Sequence, residues 1–234
     1  MIQVHSITKT VGDKAILRGV TFKIERGESV AVLGSNGVGK STLLRLLSLL
    51  TKPTSGEIEL MGVNTKKSPD QLKAKIGFVS HNSMLYDHFS PMENLIFHGK
   101  LYGVSDCEAK AKRMLDEVGM RKFMHEPVRS FSRGMLQRTS IAKALLASPE
   151  ILLLDEPHTG LDQQAVVTLN QVMARLKNEG TTCMMVTHDF VQAAAVCDRA
   201  LIMSQGIISD DFYLEEKDQA ALAQKYGKRV AINP

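Results

Sequence analysis

Gly34-Ser35-Asn36-Gly37-Val38-Gly39-Lys40-Ser41-Thr42 is the stretch whose reading decides the fold. It fits the pattern GxxxxGK[ST], with the apolar run Val30-Ala31-Val32-Leu33 before it and a largely apolar segment, Leu43 to Leu50, after it. Glycines at these positions let the backbone wrap closely around phosphate oxygens. Amides at the start of the following helix meet the negative charge. Lys40 is expected to bridge terminal phosphates and Ser41 to ligate Mg²⁺, with Gly34, Ser35, Asn36, Gly37, Val38, Gly39 and Thr42 completing the cradle. Strand, glycine-rich turn and helix in that order predict an α/β chain.

Outward from this loop, strand and helix signals alternate. Ile151-Leu152-Leu153-Leu154 and Cys183-Met184-Met185-Val186 are short apolar runs, as in parallel strands buried on both faces. Between them Ala165, Val166, Leu169, Val172, Met173 and Leu176 recur at spacings of three and four and stop before Gly180, which predicts a helix with one face on the sheet. Residues 2–26 and 56–61 alternate in the manner of antiparallel strands and predict an N-terminal side sheet. From about Ser83 to Phe131 the signals are helical. Ser90-Pro91-Met92-Glu93 and Ser105-Asp106-Cys107-Glu108 both read as capping boxes, Pro91 suits a first helical turn, and Gly119 is placed to end the second helix. The expected fold is therefore a core with a parallel sheet, an antiparallel β side sheet and an inserted α-helical subdomain. One domain over 1–234 is expected, with the core at 1–82 and 136–208, the helical subdomain at 83–135 and a polar tail at 209–234.

Two further signals carry chemistry. The buried run at Ile151 ends in the adjacent acids Asp155 and Glu156. Asp155 can hold Mg²⁺, and Glu156 is placed to orient and deprotonate the water that attacks a γ-phosphate. His188 follows the strand Cys183–Val186 and Thr187, at the end where α/β sheets present ligands, and is a candidate γ-phosphate contact. Asp189 beside it is a candidate N-cap for the next helix.

Composition excludes several function classes. An apolar fraction of 44% and a charged fraction of 23% are those of a folded globular chain. No run approaches a membrane span, and MIQVHSITKT lacks the apolar core of a signal peptide, so a cytoplasmic location is expected. The net charge of +4 is spread along the chain, with Lys66-Lys67 as the sole lysine doublet, and gives no nucleic-acid signature. Cys107, Cys183 and Cys197 are widely spaced and are read as reduced, structural thiols.

The stretch between Lys40 and Asp155 is much longer than one βαβ unit requires, and it ends in Phe131-Ser132-Arg133-Gly134-Met135-Leu136-Gln137-Arg138. This run resembles the signature motif of ABC ATPases, and Leu161-Asp162 resembles their D-loop. The order of motifs matches that family over about residues 2–208. The resemblance implies ATP and Mg²⁺ as ligands and a homodimer packed head to tail. Each ATP then lies between one chain's phosphate loop and the other chain's Ser132 and Gly134. Ser132 is a good N-cap, so its helix would offer free amides to phosphate.

Three positions depart from the family pattern. Val11 stands where an aromatic residue usually stacks on adenine. His81 replaces the usual glutamine; it can still reach Mg²⁺ or the attacking water, although an imidazolium could not ligate the metal, or it is structural. Arg133 replaces the first signature glycine, either adding charge near the γ-phosphate or pointing to solvent, and Met135 replaces the usual glutamine.

Residues 82–104 are dense in apolar and aromatic side chains. In ABC transporters this region forms the groove that receives a coupling helix of the membrane subunit. The segments His81–Asp87 and Glu93–Val104, with Ser132–Met135, are similar to the haem-exporter ATPases of cytochrome c biogenesis, the CcmA type. That likeness implies a homodimer on the inner face of the membrane with permease subunits of the CcmB and CcmC kind. ATPases of drug, antibiotic or polysaccharide exporters are the alternative, followed by a soluble iron-sulfur assembly ATPase.

Overall fold

The computed structural model describes residues 1–67 and 69–214. The chain opens with β1 (Ile2–Val11) and β2 (Lys14–Ile24), an antiparallel pair closed by the tight turn at Gly12. β3 (Ser29–Leu33) then leads through the glycine-rich loop into α1 (Lys40–Leu47). β4 (Ser55–Leu60) and the two-residue β5 (Val63–Asn64) return to β1 and give a four-stranded sheet of order β2-β1-β4-β5. The side sheet expected from the period-two pattern is present.

After the short α2 (Pro69–Lys73) comes β6 (Ile76–Val79), then α3 (Pro91–Leu101) and α4 (Cys107–Glu117). α3 starts in a complete capping box. Ser90 accepts from the Glu93 amide, Glu93 accepts from the Ser90 amide at 2.8 Å, and Pro91 lies in the first turn. Buried Asn94 fixes the loop before it, accepting from the Tyr86 amide at 2.8 Å and donating to the Ser90 carbonyl at 3.1 Å. The capping box expected at Ser105 does not form. Asp106 is the N-cap residue instead, its backbone is left-handed at φ 49°, and its side chain caps nothing. Gly119, at φ 70°, follows the end of α4 as expected.

α5 (Arg133–Leu145) runs through the 135/136 boundary expected between subdomain and core. β7 (Ile151–Asp155), α6 (Gln163–Asn178), β8 (Thr182–Val186), α7 (Phe190–Val196), β9 (Arg199–Ser204) and β10 (Ile207–Tyr213) complete the described chain. The second sheet has the order β10-β9-β3-β8-β7-β6, parallel from β9 to β6. β10 takes in residues 209–213, the first of the expected polar tail. It pairs antiparallel with β9, and its acidic residue Asp211 accepts two hydrogen bonds from Arg199, which also reaches Glu28. Residues 215–234 of that tail lie outside the described part of the chain.

The buried strands face two cores. Val30 and Val32 of β3 and Leu153 of β7 meet Leu43, Leu44 and Leu47 of α1 beneath the side sheet. Ala31, Leu33, Leu152 and Leu154 face α5, α6 and the inserted helices, where Leu95, Leu115 and Ile141 are buried. This two-sided burial explains the continuous apolar runs. Cys183 and Cys197 are buried free thiols, and burial pushes the Cys183 thiol up to about 12. Among the described residues no helix is long and apolar enough to cross a membrane.

Gly77 shows how tightly β6 and α5 are fitted. A Cβ there would lie 2.7 Å from the Ala144 carbonyl oxygen and 3.0 Å from both Leu152 and Pro149. Gly77→Ala is therefore expected to destabilise the chain by about 1–3 kcal/mol, measured as a lower urea midpoint with an unchanged slope.

Candidate functional site

The site forms where the parallel strands end. β3 ends at Leu33 and the chain then turns sharply. A Cβ on Gly34 would stand 2.4 Å from the Met203 carbonyl oxygen, so only glycine fits beside β9. Gly39 is required twice over, by its φ of 110° and by a Cβ that would meet Leu17 at 2.7 Å. It is the N-cap of α1, whose first amides are left free to meet an anion. Lys40 is buried, and its Nζ donates to the carbonyls of Gly34 at 2.7 Å and Ser35 at 2.9 Å. Burial lowers its pKa, against the pull of Glu156 and Asp155.

On the neighbouring strands, Asp155 pairs with Val186 at the carboxyl ends of β7 and β8. Asp155 is 7% exposed, and burial raises its pKa, although the Ser41 hydroxyl, donating at 3.2 Å, favours the charged form. Glu156 leaves the strand in a left-handed conformation, φ 51°, with its amide bonded to the Val186 carbonyl at 2.8 Å. Its side chain is held from two sides. Thr187 donates its hydroxyl to Oε2 at 3.2 Å, and His188 Nδ1 lies 2.9 Å from Oε1. The Thr187 oxygen in turn accepts from the Asp189 amide, so its proton is free to point at Glu156. Asp189 caps α7 as expected.

Gly39, Lys40, Ser41, Asp155, Glu156 and His188 line one cavity of about 530 Å³, together with Asn36, Gly37, Thr42 and His81. Gly34, Ser35 and Val38 lie behind it in the loop. The paired Ser41 hydroxyl and buried Asp155 carboxylate form a hard-oxygen donor set that fits a divalent cation. The loop amides and Lys40 fit phosphates. His81 reaches the cavity, but its Nδ1 lies 3.3 Å from Arg133 Nη2. Arg133 is not among the cavity residues; its exposed side chain packs on Gly160 and meets His81.

Val11 is not brought to this cavity. It ends β1, 61% exposed, and Ile16 of β2 lines the cavity. Ile16, Thr159, Val186 and Thr187 were not singled out by sequence. Thr187 carried the one available signal, standing between the strand end and His188. Ser132, Gly134 and Asp162 also lie outside the cavity. Ser132 accepts from the Met135 amide at 3.3 Å and caps α5, leaving an exposed helix start. Asp162 caps α6, accepting from the Ala165 amide at 2.8 Å. The apolar stretch 82–104 divides: Met92 and Leu95 are core, whereas Met84, Tyr86, Phe89, Phe97, Leu101 and Tyr102 are exposed.

Comparison with known proteins agrees with this architecture. Residues 17–159 match the family described as ABC transporter. The linearmycin resistance ATP-binding protein LnrL of Bacillus subtilis (strain 168) is 36% identical over 208 residues, 88% of this chain and 67% of that protein. The arginine transport ATP-binding protein ArtM of the same organism is 36% identical over 232 residues, 94% of this chain and 97% of that protein. The dimeric structure of an ATP-binding cassette in a post-hydrolysis state, bound to ADP and Pi, superimposes with a TM-score of 0.85 at 27% identity, covering 92% of this chain and 99% of that one. With the glycine-rich loop, the Asp155-Glu156 strand end and the matching fold all in place, the chain belongs to the ABC transporter family, as one of its ATPase subunits.

Proposed function

We propose that this chain is the ATP-driven motor of a membrane exporter and that it works as a head-to-tail pair of copies. The observation that carries the reading is the convergence of Lys40, Ser41, Asp155, Glu156 and His188 on a single cavity. The loop amides from Asn36 to Thr42 and the Lys40 ammonium bind and orient the phosphates. Ser41 and Asp155 would hold Mg²⁺, which when bound withdraws charge from the phosphate oxygens. His81 is a further candidate at the metal or the attacking water.

Glu156 is the general base. Each of its oxygens already accepts one hydrogen bond, from Thr187 or His188, and each keeps a lone pair for the water it orients and deprotonates. When both ring nitrogens carry a proton, His188 donates from Nδ1 to Glu156 and from Nε2 to a γ-phosphate oxygen. The helix start at Ser132 and Gly134 lies outside the cavity of its own chain, which supports its use across a dimer. A second copy would bring those amides to the γ-phosphate, and Asp162 would face the same interface.

The exposed aromatic surface at residues 84–102 supports docking of a permease subunit on the cytoplasmic face of the membrane. For the cargo, likeness to the linearmycin-resistance protein favours export of a drug or antibiotic compound. Haem delivery for cytochrome c maturation, with CcmB- and CcmC-like permeases, is the second reading and is carried by the segments at 81–87 and 93–104.

Glu156→Gln is expected to lower ATP turnover by about 10²–10⁴-fold while ATP-induced dimers persist in size-exclusion chromatography. Undiminished turnover would remove Glu156 from its role. His188→Ala is expected to lower kcat by about tenfold or more with dimerisation retained, and an unchanged kcat overturns the assigned contact. Affinity purification from the native membrane, followed by identification of the bound permease and an absorption spectrum, decides the cargo class. A drug-exporter permease without haem fits the first reading, and a CcmB-like partner with a haem spectrum fits the second. Recovery with soluble iron-sulfur assembly proteins overturns the exporter.

A further inference from the structure

The pairing of β7 with β8 ends at Asp155 and Val186, so the residues beyond are held in place by other contacts. Glu156 begins a tight turn, its carbonyl accepting from the Thr159 amide and the His158 carbonyl from the Leu161 amide, both at 3.2 Å. His158 sits inside that turn, two residues from Glu156. Its ring is buried and is not part of the nucleotide cavity.

His158 Nε2 lies 2.8 Å from Oδ1 of Asn170 on α6, and Asn170 Nδ2 donates to Oε1 of Gln192 on α7 at 3.0 Å. An amide oxygen only accepts, so His158 carries its proton on Nε2. In the neutral ring Nδ1 is then an acceptor, and it is buried without a hydrogen-bond partner. Burial lowers the pKa of this ring, against the hydrogen bond to Asn170 and the charges of Asp189 and Glu156. An orphaned ring nitrogen costs stability that an apolar side chain of similar size would not. Packing therefore does not account for a histidine here, and what the ring supplies is the N–H to Asn170.

The contacts close into a circuit. The Gln192 amide donates to Asp189 Oδ1 at 3.1 Å, and the Asp189 amide donates to the Thr187 hydroxyl oxygen at 3.0 Å. Thr187 and His188 hold the two oxygens of Glu156, and the turn from Glu156 back to His158 completes the ring. We infer that His158 is a positioning residue for hydrolysis: through Asn170 and Gln192 it fixes the start of α7, and with it the placing of Thr187 and His188 against the Glu156 carboxylate. The inference rests on Glu156 being the general base. A displacement of about 1 Å at that base is enough to cost about 10²-fold in rate, while the loop amides and Lys40 still hold the phosphates.

The test measures steady-state ATP turnover and the melting temperature of the full chain. His158→Leu is expected to lower kcat by about tenfold or more, with KM for ATP within about twofold of the unaltered chain. His158→Gln, whose amide nitrogen stands the same number of bonds from the backbone as Nε2, is expected to restore most of the rate. Gln192→Leu, at a half-buried position outside the Glu156 turn, is expected to lower kcat by about fivefold or more with an unchanged melting temperature. The result therefore does not depend on how His158→Leu folds. Combining the two leucine variants is expected to add little further loss, since both break one circuit. An undiminished kcat with Gln192→Leu, equal losses in His158→Gln and His158→Leu, or losses that multiply in the double variant overturn the inference and leave Glu156 as the base. Full turnover in Glu156→Gln overturns both.

Discussion

The parallel pairing of β7 with β8 is the constraint on which the nucleotide pocket depends. It ends with Asp155 opposite Val186, and the next residue, Glu156, is fastened to the Val186 carbonyl. Because the two strands stop in register, the side chains that follow them emerge side by side. Thr187 and His188 reach Glu156 from one strand end, while Asp155 meets Ser41 from the other side. A one-residue slip would move Asp155 to the opposite face of the sheet and separate every one of these contacts. The apolar runs on both strands therefore do more than fill a core, since their two-sided burial is what forbids the slip.

The left-handed backbone at Glu156 belongs to the same device. A non-glycine residue at φ 51° is strained, and such strain persists only where surrounding contacts over-determine it. Here the amide bond to Val186 and the two acceptor positions filled by Thr187 and His188 supply that support. The strain turns the carboxylate into the cavity rather than onto a sheet face. Buried His158 bonds Asn170 at 2.8 Å just beyond, which anchors the loop that returns to the Asp162 cap.

Much of this was legible in the sequence, because the deciding signals were local. The glycine-rich loop, the Asp155-Glu156 strand end, the Ser90 capping box and the Ser132 and Asp189 caps each depend on residues within a few positions of one another. The misreadings fall where distant chain segments decide. Asp106, not Ser105, starts α4 because the backbone turns left-handed there, which residue type alone does not announce. β10 can include the acidic Asp211 because Arg199, twelve positions earlier, donates two hydrogen bonds to its carboxylate. Ile16 reaches the cavity through the path of β2, and the β1–β2 turn gives no sign of it.

His81 illustrates how one position is shared between two surfaces. Arg133 Nη2 lies 3.3 Å from Nδ1 and 3.5 Å from Nε2 of His81, near-equal distances that place the guanidinium over the ring rather than along one lone pair. His81 meanwhile lines the nucleotide cavity, so one ring touches both the phosphate site and the signature helix. Arg133 stands between Ser132 and the tightly packed Gly134, on the helix start that the proposed dimer presents to a second copy. A phosphate reaching that helix start would draw the guanidinium, because a charged phosphate is a strong acceptor for it. The stacked contact therefore joins the signature helix to the histidine in the nucleotide cavity.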